Sequence, residues 1–303
     1  METTPTWAWL VFGGLLAVLL FLDLFLHRGQ RETSRRAAIV WSVVWVLAGL
    51  LFAGFVLAVA GTERAVEYIA AYAIEKSLSL DNLFVFLIVF KSLSIPKENQ
   101  RRGLSWGIFG ALAFRAVFIF LGAAAIERWN WVVYVFGALL LVAAYRAFLG
   151  VPKEEDENRL VAFLSRHLPV SQHERSDAFV VREGGRWMAT PLLIAVLALE
   201  MTDVLFAIDS VPAALAVSRD EFVVYSSNAF AILGLRSLYL VMAHTIAELR
   251  YLHFGLAAVL AFAAVKLMGA PWFHVPPLTS VAIIVGMIAA AVWASLRAGR
   301  AEA

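Results

Sequence analysis

Acidic side chains recur inside two otherwise apolar stretches of this 303-residue chain. The first stretch reads EKSLSLDNLF at 75–84, and the second reads EMTDVLFAIDSVP at 200–212. A carboxylate at the centre of a bilayer costs roughly 2.5–3.5 kcal/mol on insertion scales, so such residues need a cation, a basic partner or a water-filled path. The pattern indicates ion handling by five acids: Glu75, Asp81, Glu200, Asp203 and Asp209.

The spacing of these residues predicts which of them share a helix face. Glu75 and Asn82 are seven residues apart and nearly share a face, whereas Asp81 points about 100° away. Glu200 and Asp203 are three apart and adjacent on one face. Carboxylates and an asparagine amide are hard oxygen donors, which suit manganese, magnesium or calcium. Without a cation, clustered carboxylates repel one another and their proton affinity rises, so metal-for-proton exchange is a natural hypothesis.

Pro212 predicts a break in the second acidic helix. Proline cannot donate a hydrogen bond to the carbonyl of Ile208, and its ring clashes with that carbonyl. A bend near Asp209 would turn the acids of this helix, together with a free carbonyl, toward one cavity. We therefore expect a broken helix at this point.

Basic residues inside the predicted spans allow a structural alternative. The carboxylates could be partners in buried salt bridges, but omitting polar groups altogether would cost less free energy than pairing them. Arg115 and Arg236 are predicted to be counter-charges that hold the site together when no metal is bound. Asp23 is expected to pair with Arg28. The predicted supporting charge partners of the acids are Lys76, Arg115 and Arg236.

Composition assigns the chain to the polytopic membrane proteins. Hydrophobic residues make up 62% of the sequence, and its mean hydropathy is +0.80. The net charge of +2 argues against binding to nucleic acid, which needs a dense basic surface. Cysteine is absent, which excludes disulfides, thiol nucleophiles and thiolate metal sites.

About 20 apolar residues cross the hydrocarbon core of a bilayer, and this length predicts an all-α protein with about nine transmembrane helices. Lysine and arginine concentrate in the loops on one side, so the positive-inside rule places the N-terminus outside and the C-terminus in the cytoplasm. The predicted spans are 7–27, 38–60, 66–91, 104–126, 130–150, 189–216, 222–248, 252–270 and 279–297.

Two parts of the chain resemble each other. Aligning Asp81 with Asp203 brings Arg115 close to Arg236, and the correspondence runs through three helices in each copy. An odd number of spans per copy gives opposite orientations, which is the inverted repeat of many transporters. The chain then divides into two N-terminal helices (1–65), repeat 1 (66–150), a cytoplasmic loop (151–188), repeat 2 (189–270) and a C-terminal helix (271–303).

The cytoplasmic loop is the only sizeable soluble piece that the sequence predicts. Its segment NRLVAFLSRHLPV has the apolar spacing of a short surface helix. FVVREGGRWMA alternates about a Gly-Gly turn, which predicts a small hairpin. Partner proteins could bind this loop.

The two acidic motifs, together with NAFAILGLRSLY at 228–239, resemble those of the TerC family of bacterial membrane proteins. The resemblance implies a multi-pass inner-membrane protein of the LysE-like transporter group, some of whose members export manganese and others of which are named for tellurium resistance. Carried over to the matching positions, the implied metal-binding residues are Glu75, Asp81, Asn82, Glu200, Asp203 and Asp209.

Two functions compete at this point. The first is a secondary transporter that exports a hard divalent cation, with Mn²⁺ preferred and Ca²⁺ or Mg²⁺ as alternatives, through a site between inverted repeats. The second is a non-transporting membrane scaffold that binds metal or partner proteins, for tellurite or metal resistance or for metal delivery to secreted enzymes. No prosthetic group is expected. Motifs of serine hydrolases and P-loop proteins are missing, so an enzyme is not predicted.

Overall fold

The computed structural model describes residues 4–26, 35–150, 154–171, 178–183, 185–244 and 251–301. These residues form an all-helical membrane protein with one small hairpin. The helices are α1 (Thr6–Leu26), α2 (Arg35–Ser92), α3 (Lys97–Arg128), α4 (Val132–Leu149), α5 (Glu154–His167), α6 (Pro191–Val217), α7 (Glu221–Ile232), α8 (Leu235–His244), α9 (Leu252–Gly269) and α10 (Pro277–Ala301), and the strands are β1 (Val180–Glu183) and β2 (Arg186–Ala189).

Seven of the described helices are long and apolar enough to cross a membrane. One of them, α2, runs for 58 residues and is interrupted at Gly61, whose φ of 85° and ψ of 176° are not helical. Its two parts, 35–60 and 62–92, are each long enough to span. The short helices α7 and α8 cover most of the predicted span 222–248. The described chain thus has the all-α, polytopic architecture that hydropathy predicts.

The break expected at Pro212 is absent. Helix α6 continues through Pro212 to Val217. Proline removes only one helical hydrogen bond, and membrane helices tolerate this loss when neighbouring groups compensate for it. The prediction of a broken helix near Asp209 was therefore wrong.

The break lies instead in the predicted span 222–248, between α7 and α8. Helix α7 ends at Ile232, and Gly234 adopts the left-handed region with φ of 82°. Glycine reaches this conformation without steric cost, so it suits the end of a helix. Hydropathy did not predict this turn, because Leu233 and Leu235 on either side of the glycine are as hydrophobic as the residues of the helices.

The helices pack in a reciprocal pattern. Helix α2 packs on α7 and α8, with Lys76 of its second part on the end of α7, α3 packs on α6, and α4 packs on α9. The first helix of each predicted repeat therefore contacts the second helix of the other, and the third helices contact each other. This is the pattern that the predicted inverted repeat would produce.

Aromatic rings fill the core between α1, the first part of α2 and α7. Phe52 and Phe230 stack with ring centroids 4.5 Å apart, and Phe12 and Phe222 pack around them at 5.8 Å from each other. All four rings are buried. This cluster fixes the position of α7 against α1 and the first part of α2.

The described part of the loop confirms both of its predicted elements. Helix α5 buries Val161 and Leu164 against the main core and packs on α2 and α6. Strands β1 and β2 pair antiparallel around Gly185, whose φ is 82°. The loop therefore packs against the cytoplasmic ends that the charge distribution predicts for these two helices.

Gly234 provides a test of the α7–α8 break. An added Cβ would lie 2.5 Å from Cβ of Trp45, at a backbone conformation that side chains disfavour. We expect Gly234→Ala to lower the free energy of unfolding by about 2–4 kcal/mol, since strain and overpacking add. Thermal unfolding in detergent measures the change.

The matched control is Gly54→Ala, within α2, where an added Cβ meets no atom within 4 Å. Alanine is the better helix former by about 1 kcal/mol, so this variant should be neutral or slightly more stable. Equal stability of the two variants would contradict a strained turn at Gly234.

Candidate ion-binding site

Glu75 lies at the centre of a buried polar network that joins three helices. Its side chain is fully buried on α2, and its Oε1 forms an ion pair with Nη1 of Arg115 on α3. The same guanidinium nitrogen donates to Oδ1 of Asn228 on α7 at 2.8 Å. Asn228 in turn donates from Nδ2 to the carbonyl of Val224 at 3.0 Å, which fixes the orientation of the amide. Arg115 of α3 therefore links α2 to α7.

Asp203 and Glu200 approach this network from α6. Asp203 is buried and lies within electrostatic range of both Arg115 and Glu75, while Glu200 interacts with Asp203. Helix α6 runs antiparallel to the second part of α2, so carboxylates from two oppositely directed helices meet here. Glu75 and Asp203 share the guanidinium of Arg115, and Glu200 adds a third carboxylate beside Asp203, which leaves excess negative charge.

Each of these three acids keeps an oxygen without a hydrogen-bond partner. The unpartnered atoms are Oε2 of Glu75, Oε2 of Glu200 and Oδ2 of Asp203, all of them buried. A buried acceptor without a donor costs about 1–3 kcal/mol, and more when it is charged. Such atoms are available to a ligand that brings positive charge.

A glycine makes room for the Glu200 carboxylate. Gly110 on α3 lies directly against Oε1 and Oε2 of Glu200, and a Cβ at this position would overlap both atoms. Sequence reasoning missed this contact. The GxxxG-like spacing of Gly103, Gly107 and Gly110 along α3 was its only signal.

The other predicted ligands are distributed more widely. Asn82 is buried on α2, two turns beyond Glu75. Asp209 is half-buried on α6, six residues from Asp203 and thus about 120° around the helix from it. Asp81 is in α2, but its side chain lies outside the described residues. Among the described side chains, no three His, Asp or Glu residues are grouped so that they could hold a metal by themselves.

Arg236 does not serve the acidic site, contrary to expectation. Its Nη2 lies 3.4 Å from Oδ2 of Asp23 on α1, and its Nη1 donates to Oγ of Ser105 at 3.3 Å. Arg28, the predicted partner of Asp23, lies outside the described residues. Arg236 therefore ties α8 to α1 and α3.

Lys76, which follows Glu75 in the sequence, contacts the end of α7 at the break between α7 and α8. Its Nζ donates to the carbonyls of Ala231 at 3.0 Å and Leu233 at 3.4 Å. These carbonyls lie at the end of α7, where the helix dipole is negative and helical donors are lacking. Lys76 was predicted to be a partner of the acids, but its hydrogen bonds are to the last carbonyls of α7 and not to a carboxylate.

A cavity of about 850 Å³ opens beyond the network, on the side that the charge distribution predicts to be outside. Glu67 accepts a hydrogen bond from Oγ of Ser218 at 2.6 Å, and Arg64 pairs with Asp220 at 3.1 Å. Sequence reasoning did not single out this acidic cavity. Its acidic lining consists of Glu63, Glu67, Glu127, Asp220 and Glu221.

An apolar layer separates the cavity from the network. Glu67 and Glu75 are eight residues apart on α2, about 12 Å along the helix. Buried small and branched side chains fill this interval, and they close the network off from the cavity. The layer comprises Ala70, Ala71 and Ile74 of α2 and Ala207, Val211 and Ala214 of α6.

Comparison with known proteins agrees with this architecture. The family model of TerC integral membrane proteins matches residues 60–303, beginning at the Gly61 interruption of α2. No solved structure matches the chain.

Several curated relatives cover nearly the whole chain. An uncharacterized membrane protein of Myxococcus xanthus, STKORF319, is 41% identical, and the match covers 98% of this chain and 95% of the relative. A candidate membrane-bound redox modulator of Escherichia coli K12, named Alx, is 37% identical with 92% and 91% coverage. A membrane protein of Rickettsia bellii is 32% identical with 95% and 97% coverage. The chain therefore belongs to the TerC family of integral membrane proteins.

Proposed function

We propose that this protein is a secondary transporter that exports a hard divalent cation, with Mn²⁺ as the preferred substrate. One observation carries the proposal: Glu75, Glu200 and Asp203 each keep a buried oxygen without a hydrogen-bond partner, at the meeting point of two antiparallel helices. Oxygen-only donors suit Mn²⁺, Mg²⁺ and Ca²⁺. Inverted-repeat transporters hold their substrates at this depth, between the two repeats.

Arg115 has a defined part in this mechanism. Its guanidinium neutralises Glu75 and anchors to Asn228 in the described state. A divalent cation that reaches the network competes with this guanidinium for the carboxylates, so metal binding requires Arg115 to release Glu75. In this proposal Glu75 is paired with Arg115 in the empty protein and with the metal in the loaded protein.

Proton exchange follows from the same charges. Three carboxylates near one guanidinium repel one another when no metal is present, and protons relieve that repulsion. Protons and metal are therefore alternative occupants of the site. An inward proton gradient would drive export of the metal across the bacterial inner membrane, with the N-terminus outside.

The exit path of the metal would cross the apolar layer and continue through the outer cavity. In this proposal the apolar layer is the barrier that closes the network off from the cavity while the metal is held. Separation of Ala71 and Ile74 from Val211 and Ala214 would connect the network to the acidic cavity. Its five acids outnumber the bases Arg64, Arg219 and Lys266, so the lining has a net negative charge that attracts cations and favours exit on the outer side.

Flux measurements on the purified protein test the proposal. The full-length chain is reconstituted into liposomes that contain a manganese-sensitive dye, and Mn²⁺ entry is followed with and without a pH difference. We expect protein-dependent Mn²⁺ flux that a proton gradient accelerates and that excess Mg²⁺ or Ca²⁺ inhibits only weakly.

Liposomes without protein set the background rate. Tight Mn²⁺ binding without flux would overturn the transporter and support the scaffold, whose phenotype should then depend on the 151–188 loop. Flux of Ca²⁺ or Mg²⁺ in preference to Mn²⁺ would correct the substrate and keep the transporter class.

A further inference from the structure

The end of helix α7 lies deep inside the protein and is built like a cation site. α7 has only 12 residues, and it stops at Ile232 within a span that the hydropathy pattern predicts to cross the whole membrane. The last carbonyls of a helix have no helical donors and carry the negative end of the dipole. In a bilayer these groups must find partners within the protein.

Lys76 supplies the positive charge at this end. Its ammonium contacts the carbonyl oxygens of Ala231 at 3.0 Å and Leu233 at 3.4 Å, and Glu75 lies beside it in sequence and interacts with it electrostatically. Two backbone carbonyls are ligands that a small monovalent cation accepts, and the negative charge of Glu75 favours a cation beside them. An ammonium group is close in charge and size to such an ion.

We infer that the α7 terminus is a monovalent-cation site whose occupant is the tethered ammonium of Lys76. The ammonium of Lys76 neutralises the negative end of the helix, as a bound Na⁺, K⁺ or NH₄⁺ would at the same carbonyls. A consequence follows for the wild-type protein: its stability does not depend on which monovalent cation is in solution. Removal of the tether should restore that dependence. This inference does not rest on metal export, since it concerns only the occupant of the helix end.

Thermal unfolding of the purified full-length chain in detergent tests the inference. Lys76→Ala is compared with wild type in equal concentrations of sodium, potassium, ammonium and N-methylglucammonium chloride at fixed pH. We expect one of the small cations to raise the unfolding temperature of Lys76→Ala by about 5 °C over N-methylglucammonium, as binding to the folded state alone requires. Wild type should differ by less than about 1 °C among the four salts.

Lys266→Ala is the matched control. Lys266 also donates to a helix-terminal carbonyl, that of Val217 at 3.5 Å, but it lines the open cavity and not the buried interior. Its removal should give no selectivity among the salts. Equal responses of Lys76→Ala to all four salts, or the same selectivity in Lys266→Ala, would overturn the inference.

A folding failure is also decisive. If Lys76→Ala and Lys76→Met are both unfolded in every salt while Lys76→Arg folds, a free cation cannot replace the tethered one, and the inference is wrong. If Lys76→Ala folds only in the presence of a small cation, the inference is supported. Because the readout is stability, each result stands whether or not the protein transports Mn²⁺.

Discussion

Neutralising Asp203 is expected to reduce Mn²⁺ flux by at least about 100-fold, since even outer-shell groups of metal sites contribute 10–100-fold. Asp203 is buried, faces both Arg115 and Glu75 and keeps one oxygen without a partner. Asp203→Asn retains the shape of the side chain and removes the charge that a divalent cation needs. Flux into liposomes, normalised to the amount of folded protein, measures the effect.

Asp209→Asn is the comparison variant on the same helix. Asp209 is half-buried and about 120° around α6 from Asp203, so its contribution should be smaller, less than about 10-fold. Comparable losses in the two variants would show that the site extends around α6 and would contradict the geometry proposed here. Unchanged flux in Asp203→Asn would remove the main support for the transporter.

Removal of Arg115 is expected to destabilise the protein by about 3–5 kcal/mol, the usual cost of leaving a buried ion-pair partner alone. Arg115→Met keeps much of the side-chain volume but deprives Glu75 of its ion pair and Asn228 of its donor. The free energy of unfolding is measured by denaturation in mixed micelles or from the unfolding temperature.

Arg115→Met combined with Glu75→Gln tests the cause of this loss. If the unpaired carboxylate of Glu75 is responsible, the double variant should recover a large part of the stability. The double-mutant cycle of Arg115 and Glu75 should then show strong coupling. Arg146→Met is the control: Arg146 is exposed in the last turn of α4, and its replacement should cost less than about 1 kcal/mol. Equal losses for Arg115 and Arg146 would contradict a buried network.

The acidic motifs predict the residues at the centre of the network because charge inside an apolar span is a strong signal. Glu75, Glu200 and Asp203 were identifiable from their membrane depth alone. Arg115 was predicted as a counter-charge of the acids, but its specific partner was left open, since Glu75 lies 40 positions away on a different helix. Periodicity locates a residue on its own helix and leaves its partner on another helix undetermined.

Helix breaks were predicted less well than helices. Proline suggested a break in α6, but the helix absorbs Pro212. Gly234 produces the actual break, although glycine is common in membrane helices and carries no such signal alone. The outcome depends on tertiary packing against Trp45 and Lys76, which local sequence rules do not contain.

Helix α7 is fastened to the second part of α2 at both of its ends. Arg64 of α2 pairs with Asp220, whose side chain caps the first turn of α7, and Lys76 of α2 holds the last carbonyls. We expect the two segments to move together in any rearrangement, because both ends of α7 are attached to α2. Gly61 and Gly234, whose φ angles are 85° and 82°, lie at the ends of this pair and are its expected hinges.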